Sequence, residues 1–322
     1  MGGSVHDAYV KAVFSRGENA VGLLRAALPP AVLAAIDLSS IEHVPGRYAG
    51  VTTRETDLLF RVLLKGREAL LYVLLEHKST VDDPMLPVTV LIYIGRILDE
   101  WKRVNDGKPA KDRALKAPVV IPLVLYHGSD GWTAATELFD VLDLDPELLG
   151  TLRPHLPSYR LLVDDLVKRT DKDLRAREAG VLGRISFLLL RHLRDLRGDP
   201  ERLFAYLRTV ADLFNLLPDD DRILCFEYVL RVGEPEPQAV QDALRDVVDP
   251  RVLESVMTAA ERLRSQGMLD GQRRVLLRLL RTRFGQVSPE VEQRVSAADE
   301  ATLDVWTDRV LTAASALDVV KP

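Results

Sequence analysis

Cysteine is almost missing from this chain: Cys225 is the only one in 322 residues. A disulfide within the chain is excluded, and so is any cysteine-rich zinc site. No stretch approaches the roughly 18 uninterrupted apolar residues that a membrane helix needs. The opening MGGSVHDAYVKAVF lacks a basic segment followed by an apolar run, so no signal peptide is expected. HExxH, a Walker loop and GxSxG are all absent, which leaves metalloprotease, P-loop ATPase and α/β-hydrolase readings without support. There is no helix-turn-helix or zinc-finger signature, and no aromatic platform for stacking unpaired RNA bases. Positive charge is not in excess either. The formal net charge of −5 argues against a protein that coats nucleic acid constitutively. What is present is ordinary globular material, 47% hydrophobic and 28% charged. These features point to a soluble cytoplasmic protein with no membrane partner, and the length suggests about two domains.

Apolar periodicity predicts a helix over 5–27, from Val5, Tyr9, Val13, Leu23 and Leu24, and a short helix over 30–37 opened by Pro30. A strand is expected at 41–48. Two stronger strands follow, DLLFRVLLK at 57–65 and EALLYVLLEHK at 68–78, joined by a tight turn at Gly66-Arg67. Residues 84–104 read as a helix, 118–126 as a buried strand and 158–166 as a further strand. From about residue 172 the chain reads as helices almost throughout, including 249–268 and 271–285 as separate elements. The expected organisation is α-β-β-β-α-β over residues 1–165, a helical region over 166–322, and a small helical domain at about 262–322 within it.

The hairpin carries the chemistry. With Gly66-Arg67 as the turn, Asp57 lies directly opposite Glu76. Side chains alternate faces with a period of two, so Asp57, Glu76 and Lys78 share one face and His77 takes the other. Opposed Cβ atoms are about 4.5–5.5 Å apart, and two carboxylates at that distance repel unless a proton or cation lies between them. Mg²⁺ suits such a pair, using one or two carboxylates with water and substrate phosphate. Mn²⁺ is accepted by the same hard donors. A lysine beside the metal can orient a water and stabilise developing charge. An acidic metal site also lowers the net charge, so the −5 total is compatible with an enzyme that cuts nucleic acid.

A D…ExK arrangement on a hairpin inside an α-β-β-β-α-β core resembles the PD-(D/E)XK nuclease superfamily. Four blocks carry a closer resemblance: HDAYVKAVF at 6–14, RETDLLFRV at 54–62, LLYVLLEHKSTVDDPM at 70–85 and PLVLYHGSDGW at 122–132. In this order they are similar to the recombination-promoting nuclease (Rpn)/putative transposase family. Together they cover roughly the first 165 residues. Many members of that family carry Gln where this chain has Lys78, and a Phe-Lys pair where it has Tyr9-Val10-Lys11. The resemblance implies a PD-(D/E)XK-like αβββαβ core. It also implies metal held by Asp57, Glu76 and the backbone carbonyl of His77, with Lys78 assisting the attacking water. Residues 271–306 are similar to a small helical domain found at the ends of such proteins, which assigns no role.

Other residues are weighed against plainer readings. Glu55 would oppose Lys78, as an additional ligand or as a salt bridge. Asp7 could face the site from the first helix, or simply favour that helix's N-terminus. His6, His77 and His127 read more readily as packed or turn histidines than as ligands. Between 262 and 283 seven arginines stand against one acid, Asp270. They form a phosphate-binding stripe or a solvated face with acidic partners from other helices. Lys102, Arg103, Lys108, Lys111, Arg113 and Lys116 could flank a nucleic acid.

The resulting expectation is a metal-dependent DNA endonuclease of low sequence specificity, with a link to recombination or mobile elements implied by the resemblance. The alternative is a catalytically silent nucleic-acid-binding or protein-assembly module on the same fold. RNA cleavage is a third reading, and homo-oligomerisation is left open.

Overall fold

The computed structural model describes residues 5–44, 58–76, 84–114 and 116–321. The chain forms two compact units, Met1–Leu253 and Glu254–Pro322.

The first unit opens with α1 (Val5–Phe14) and α2 (Gly17–Ala27) rather than one helix. Arg16 is extended (ψ 127°), and the break lets both helices pack against a helix much later in the chain. After α3 (Pro30–Leu33) the chain enters β1 (Ile36–His43), where a helix over 30–37 was expected. Polar turn chemistry inside β1 hides its strand pattern. Asp37 accepts hydrogen bonds from the Ser39 amide and hydroxyl, and the register with the next strand slips between Asp37 and Glu42.

Strands β2 (Leu58–Leu64) and β3 (Arg67–Glu76) form the expected hairpin, with a corrected turn. The turn residues are Lys65 (φ 48°) and Gly66 (φ 74°), so Leu64 pairs with Arg67 and Leu58 with Val73. A two-residue hairpin turn of this type needs positive φ at both central positions, and glycine takes the second at little cost. A turn at Gly66-Arg67 would have forced Arg67 into that region. The shift is by two positions, so the alternation of faces along β3 is unchanged.

Helix α4 (Leu86–Asp106) crosses over to β4 (Val119–Tyr126), and α5 (Pro146–Leu152) precedes β5 (Leu162–Asp165). The sheet order is β1-β2-β3-β4-β5, antiparallel for the first three strands and parallel from β3 to β5. On one face Leu59, Leu70, Val124 and Tyr126 meet Leu86, Val90, Tyr93 and Ile97 of α4 in one core. The three- and four-residue spacing of the α4 residues explains why a segment rich in β-branched residues is helical.

The rest of this unit is helical: α6 (Asp171–Arg175), α7 (Val181–His192), α8 (Pro200–Thr209), α9 (Ala211–Leu216), α10 (Asp219–Gly233) and α11 (Pro237–Leu244). Helices α1, α2 and α7 pack on one another, α1 also meets α10, and α2 meets β1 and β5. The unit therefore runs well past residue 165, because the first helices of the chain are partners of α7 and α10. Gly22 shows how closely α2 is approached: a Cβ there would lie 2.3 Å from the Cβ of Ala179.

Helix α12 (Pro250–Phe284) is continuous through Gly267 and Gly271, where two helices were expected. Each glycine costs about 1 kcal/mol relative to alanine. Burial of Val256 and Ala259 before them, and of Leu276 and Leu280 after them, offsets that cost. In the second unit Leu276 and Leu280 share a core with Val291 and Val295 of α13 (Pro289–Ala297) and Leu303 and Trp306 of α14 (Glu300–Arg309). Val319 of α15 (Ala316–Val319) joins the same core.

Candidate active site

Three parallel strands end in one row. Glu76, the last residue of β3, pairs with Tyr126, the last of β4, and Tyr126 pairs with Asp165, the last of β5. In sheets with parallel strands the carboxyl end of the strands is where ligands bind. The backbone of Glu76 stands in that row. Asp57, Glu55, His77 and Lys78, the other residues assigned to the site, lie outside the described residues.

Helix α1 brings its first turn to the same end. The ring of His127, one residue beyond Tyr126 and almost fully buried, lies 5.1 Å from the ring of His6. Asp7 follows His6 and is buried as well. Nδ1 of His6 is 2.7 Å from the Tyr228 hydroxyl, and the Tyr228 ring stacks on Tyr9 at 4.0 Å. The Tyr9 hydroxyl in turn lies 2.7 Å from Ser186 Oγ and 3.4 Å from Cys225 Sγ. Burial pushes the Tyr9 and Tyr228 hydroxyls above the usual phenol range, and the Cys225 thiol up to about 12. All three are therefore neutral at physiological pH. They anchor α1 to α7 and α10 and carry no charge to the strand ends.

Two acids at the end of β5 were not singled out from the sequence. Asp164 is fully buried and forms a two-pronged pair with Arg177 at 2.7 and 2.8 Å. The Arg177 guanidinium lies over the Phe187 ring at 4.2 Å. Asp165 accepts hydrogen bonds from the amides of Trp132 (2.8 Å) and Val167 (3.0 Å), and Lys168 Nζ lies 3.3 Å away. It thereby ties the Gly131-Trp132 loop to the strand end. An acid pair closing the apolar run LLVDD was the available signal. Tyr228, 222 residues from His6, left no local one.

Among the described residues no three His, Cys, Asp or Glu side chains come together in a way that would hold a metal ion. Three of the cations of 102–116 are exposed but engaged by local partners. Lys102 pairs with Asp106 at 2.6 Å, Arg103 with Glu100 at 2.6 Å, and Arg113 donates to the carbonyls of Lys108 and Asp106. No helix among the described residues is long and apolar enough to cross a membrane.

The chain belongs to the YhgA-like family: the family model described as "Putative transposase, YhgA-like" matches residues 4–221. The chain is similar to recombination-promoting nuclease RpnA of Escherichia coli (strain K12), with 26% identity over 281 residues, 81% of this chain and 84% of RpnA. It is 26% identical to the inactive recombination-promoting nuclease-like protein RpnE of the same strain over 271 residues, 82% of this chain and 83% of RpnE. It is 25% identical to recombination-promoting nuclease RpnD of Escherichia coli O157:H7 over 269 residues, 80% of this chain and 93% of RpnD. No solved structure matches the chain.

Proposed function

We propose that this protein is a metal-dependent DNA endonuclease of PD-(D/E)XK type, acting in recombination. The observation that carries the reading is the position of Glu76, at the carboxyl end of β3 in the row Glu76–Tyr126–Asp165. Two relatives named recombination-promoting nucleases support it. The donor set fits a hard cation: Asp57 and Glu76 would hold Mg²⁺ or Mn²⁺, with the His77 carbonyl as a neutral ligand. When bound, the ion polarises a phosphodiester and neutralises charge as the bond to phosphorus breaks. Lys78 orients the attacking water and offsets negative charge on the phosphate oxygens. Glu55, two residues before Asp57 in the sequence, is a further ligand candidate, so both belong in the same test. Asp7, buried in the first turn of α1 at this end of the sheet, is a further one.

Plasmid nicking tests the reading, with Mg²⁺, Mn²⁺ or EDTA, and with Asp57→Ala, Glu55→Gln and Glu76→Ala beside the wild-type chain. Metal-dependent nicking that disappears in Glu76→Ala and Asp57→Ala is the expected result. Nicking that persists in both variants overturns the site assignment. The second reading, a silent nucleic-acid-binding module, is favoured by a relative of the same identity that is named inactive. DNA retention without cleavage under any metal would establish it. Parallel digestion of RNA separates the two substrates.

A further inference from the structure

The structure divides six of the eight arginines of α12 into two sets. Arg273, Arg281 and Arg283 turn toward their own unit. Arg273 donates to the Ala298 carbonyl at 2.8 Å, Arg281 to Glu292 at 2.7 Å and Arg283 to the Ala313 carbonyl at 2.8 Å. Arg264, Arg274 and Arg278 do not. All three are exposed. Among the described residues Arg264 and Arg278 have no side-chain partner, and Arg274 only reaches back to the Asp270 carbonyl at 3.3 Å.

These three lie on one side of the helix. Leu276 and Leu280 enter the core of the second unit. Two positions along a helix is about 200° around its axis, so Arg274 and Arg278 face nearly the opposite way. Arg264 and Arg278 are 14 positions apart, about 21 Å along the axis. Gly267 and Gly271 fall on the same stripe between Arg264 and Arg274. A Cβ added at either would meet nothing within 4 Å. Among the described residues no neighbour requires either glycine, and each weakens the helix relative to alanine.

We propose that this stripe is a docking surface for the phosphate backbone of duplex DNA. The charge complementarity is direct: 262–283 holds seven arginines and one acid in a chain whose net charge is −5. Three exposed guanidiniums, none of them paired with an acid among the described residues, span about 21 Å, a length over which a duplex presents about 12 phosphates. The bare backbone at Gly267 and Gly271 lets the duplex approach more closely than side chains would. Met268, Val275 and Leu279, the neighbouring exposed apolar residues, flank the stripe on one side and do not form its centre. The stripe therefore lacks the wide apolar face with which a helix enters a lipid surface. The inference rests on the nuclease reading for the choice of DNA as the duplex, but it concerns residues outside the strand-end site.

The test uses the full chain carrying Glu76→Ala and a fluorescent DNA duplex, with affinity followed by anisotropy over a series of salt concentrations. Arg264→Gln/Arg274→Gln/Arg278→Gln should flatten the slope of log affinity against log salt by about 2.7, three contacts at about 0.9 each. Affinity at low salt should fall at least tenfold. Gly267→Ala/Gly271→Ala should weaken binding several-fold although the helix becomes stiffer, a result that loss of folding cannot mimic. An unchanged slope in the triple variant, with wild-type circular dichroism, overturns the proposal. So does stronger binding to an RNA duplex or to anionic vesicles, or a wild-type dimer that the glycine variant dissociates with no effect on DNA. The nuclease reading fails separately. Nicking lost only through Glu76→Ala, with a full slope in the triple variant, overturns the surface alone. A flattened slope with no nicking under any metal overturns the enzyme alone.

Discussion

The two layers of the first unit are held together in different ways. The layer between the sheet and α4 is built almost entirely from apolar side chains: Leu59, Leu70, Val124 and Tyr126 against Leu86, Val90, Tyr93 and Ile97. The layer formed by α1, α2 and α7 has apolar residues too, with Phe14 against Phe187 at 4.8 Å. It is also joined by buried polar contacts across long stretches of chain. Asn19 donates to the Val13 carbonyl and accepts from the Gly183 amide, Tyr9 meets Ser186 and Cys225, and Asp164 grips Arg177. An apolar layer is held by area and volume, and it tolerates exchanges that keep both. A layer with buried polar groups is held by particular partners, and losing one leaves the other exposed to its desolvation cost. The strand-end site lies where the second kind of layer meets the sheet, which favours fixed geometry there.

The largest effect expected from breaking this contrast is at Arg177. Among the described residues, Arg177→Leu leaves the fully buried Asp164 with Arg169 as its one remaining cation, at 4.0 Å and half-exposed. Breaking a buried pair by removing one partner costs about 3–5 kcal/mol. Chemical denaturation should show a loss of about 4 kcal/mol. Replacing both partners, Asp164→Leu with Arg177→Leu, should recover most of it. Failure to recover would mean that the cation–π contact with Phe187, not the ion pair, carries the stability. On the apolar side Leu70→Ala should cost about 3 kcal/mol, within the 2–5 kcal/mol found for such truncations. Leu70→Met should cost less than about 1.5 kcal/mol. No volume-matched apolar exchange at Asn19 should be tolerated as well, because the Gly183 amide and the Val13 carbonyl would be left unpaired.

The same contrast explains what could be read in advance. The α4 layer was legible because its residues recur at helix and strand periods. The β2–β3 hairpin was legible for the same reason, with its turn misplaced by one residue because positive φ at Lys65 leaves no compositional mark. Strand β1 was obscured by its serines, and the continuity of α12 by two glycines whose cost is smaller than the burial at either end. The partners of Tyr9, His6 and Arg177 were not legible at all. They lie 177, 222 and 13 residues away, and pairing across such separations has no period. Of the candidate site, the sequence offers Asp57, Glu76 and Lys78 as a motif, of which Glu76 lies among the described residues. The row that Glu76 shares with Tyr126 and Asp165 needed the strand order. The arginines of α12 could be counted in the sequence, but only the structure separates those that hold the unit together from those that face outward.

Tyr9 offers a finer probe of the polar layer. Tyr9→Phe keeps the stacking on Tyr228 and removes the hydroxyl shared with Ser186 and Cys225. A loss of about 1–2 kcal/mol is expected, since buried Ser186 loses its partner.

The smallest expected effect is a pH dependence at Cys225. Burial raises its thiol to about 12, with a nearby Tyr9 hydroxyl opposing part of that rise. The unfolded thiol titrates near the ordinary value of about 8.5. Below that value both states hold the proton and the thiol contributes no slope. Above it only the folded state does, so stability falls as pH rises, by up to about 1.4 kcal/mol per pH unit. The buried phenols are raised as well, but an unfolded phenol reaches half ionisation only near pH 10. The window between about 8.5 and 9 therefore reports mainly Cys225, and the difference between wild type and Cys225→Ala isolates it. Denaturation midpoints across that window should fall in the wild-type chain and stay flatter in Cys225→Ala. A thiol reagent at pH 8 should label the native protein slowly and the denatured protein at once. Rapid native labelling would show that the layer around Tyr9 opens readily, and that its polar contacts do not fix α1 at the strand ends.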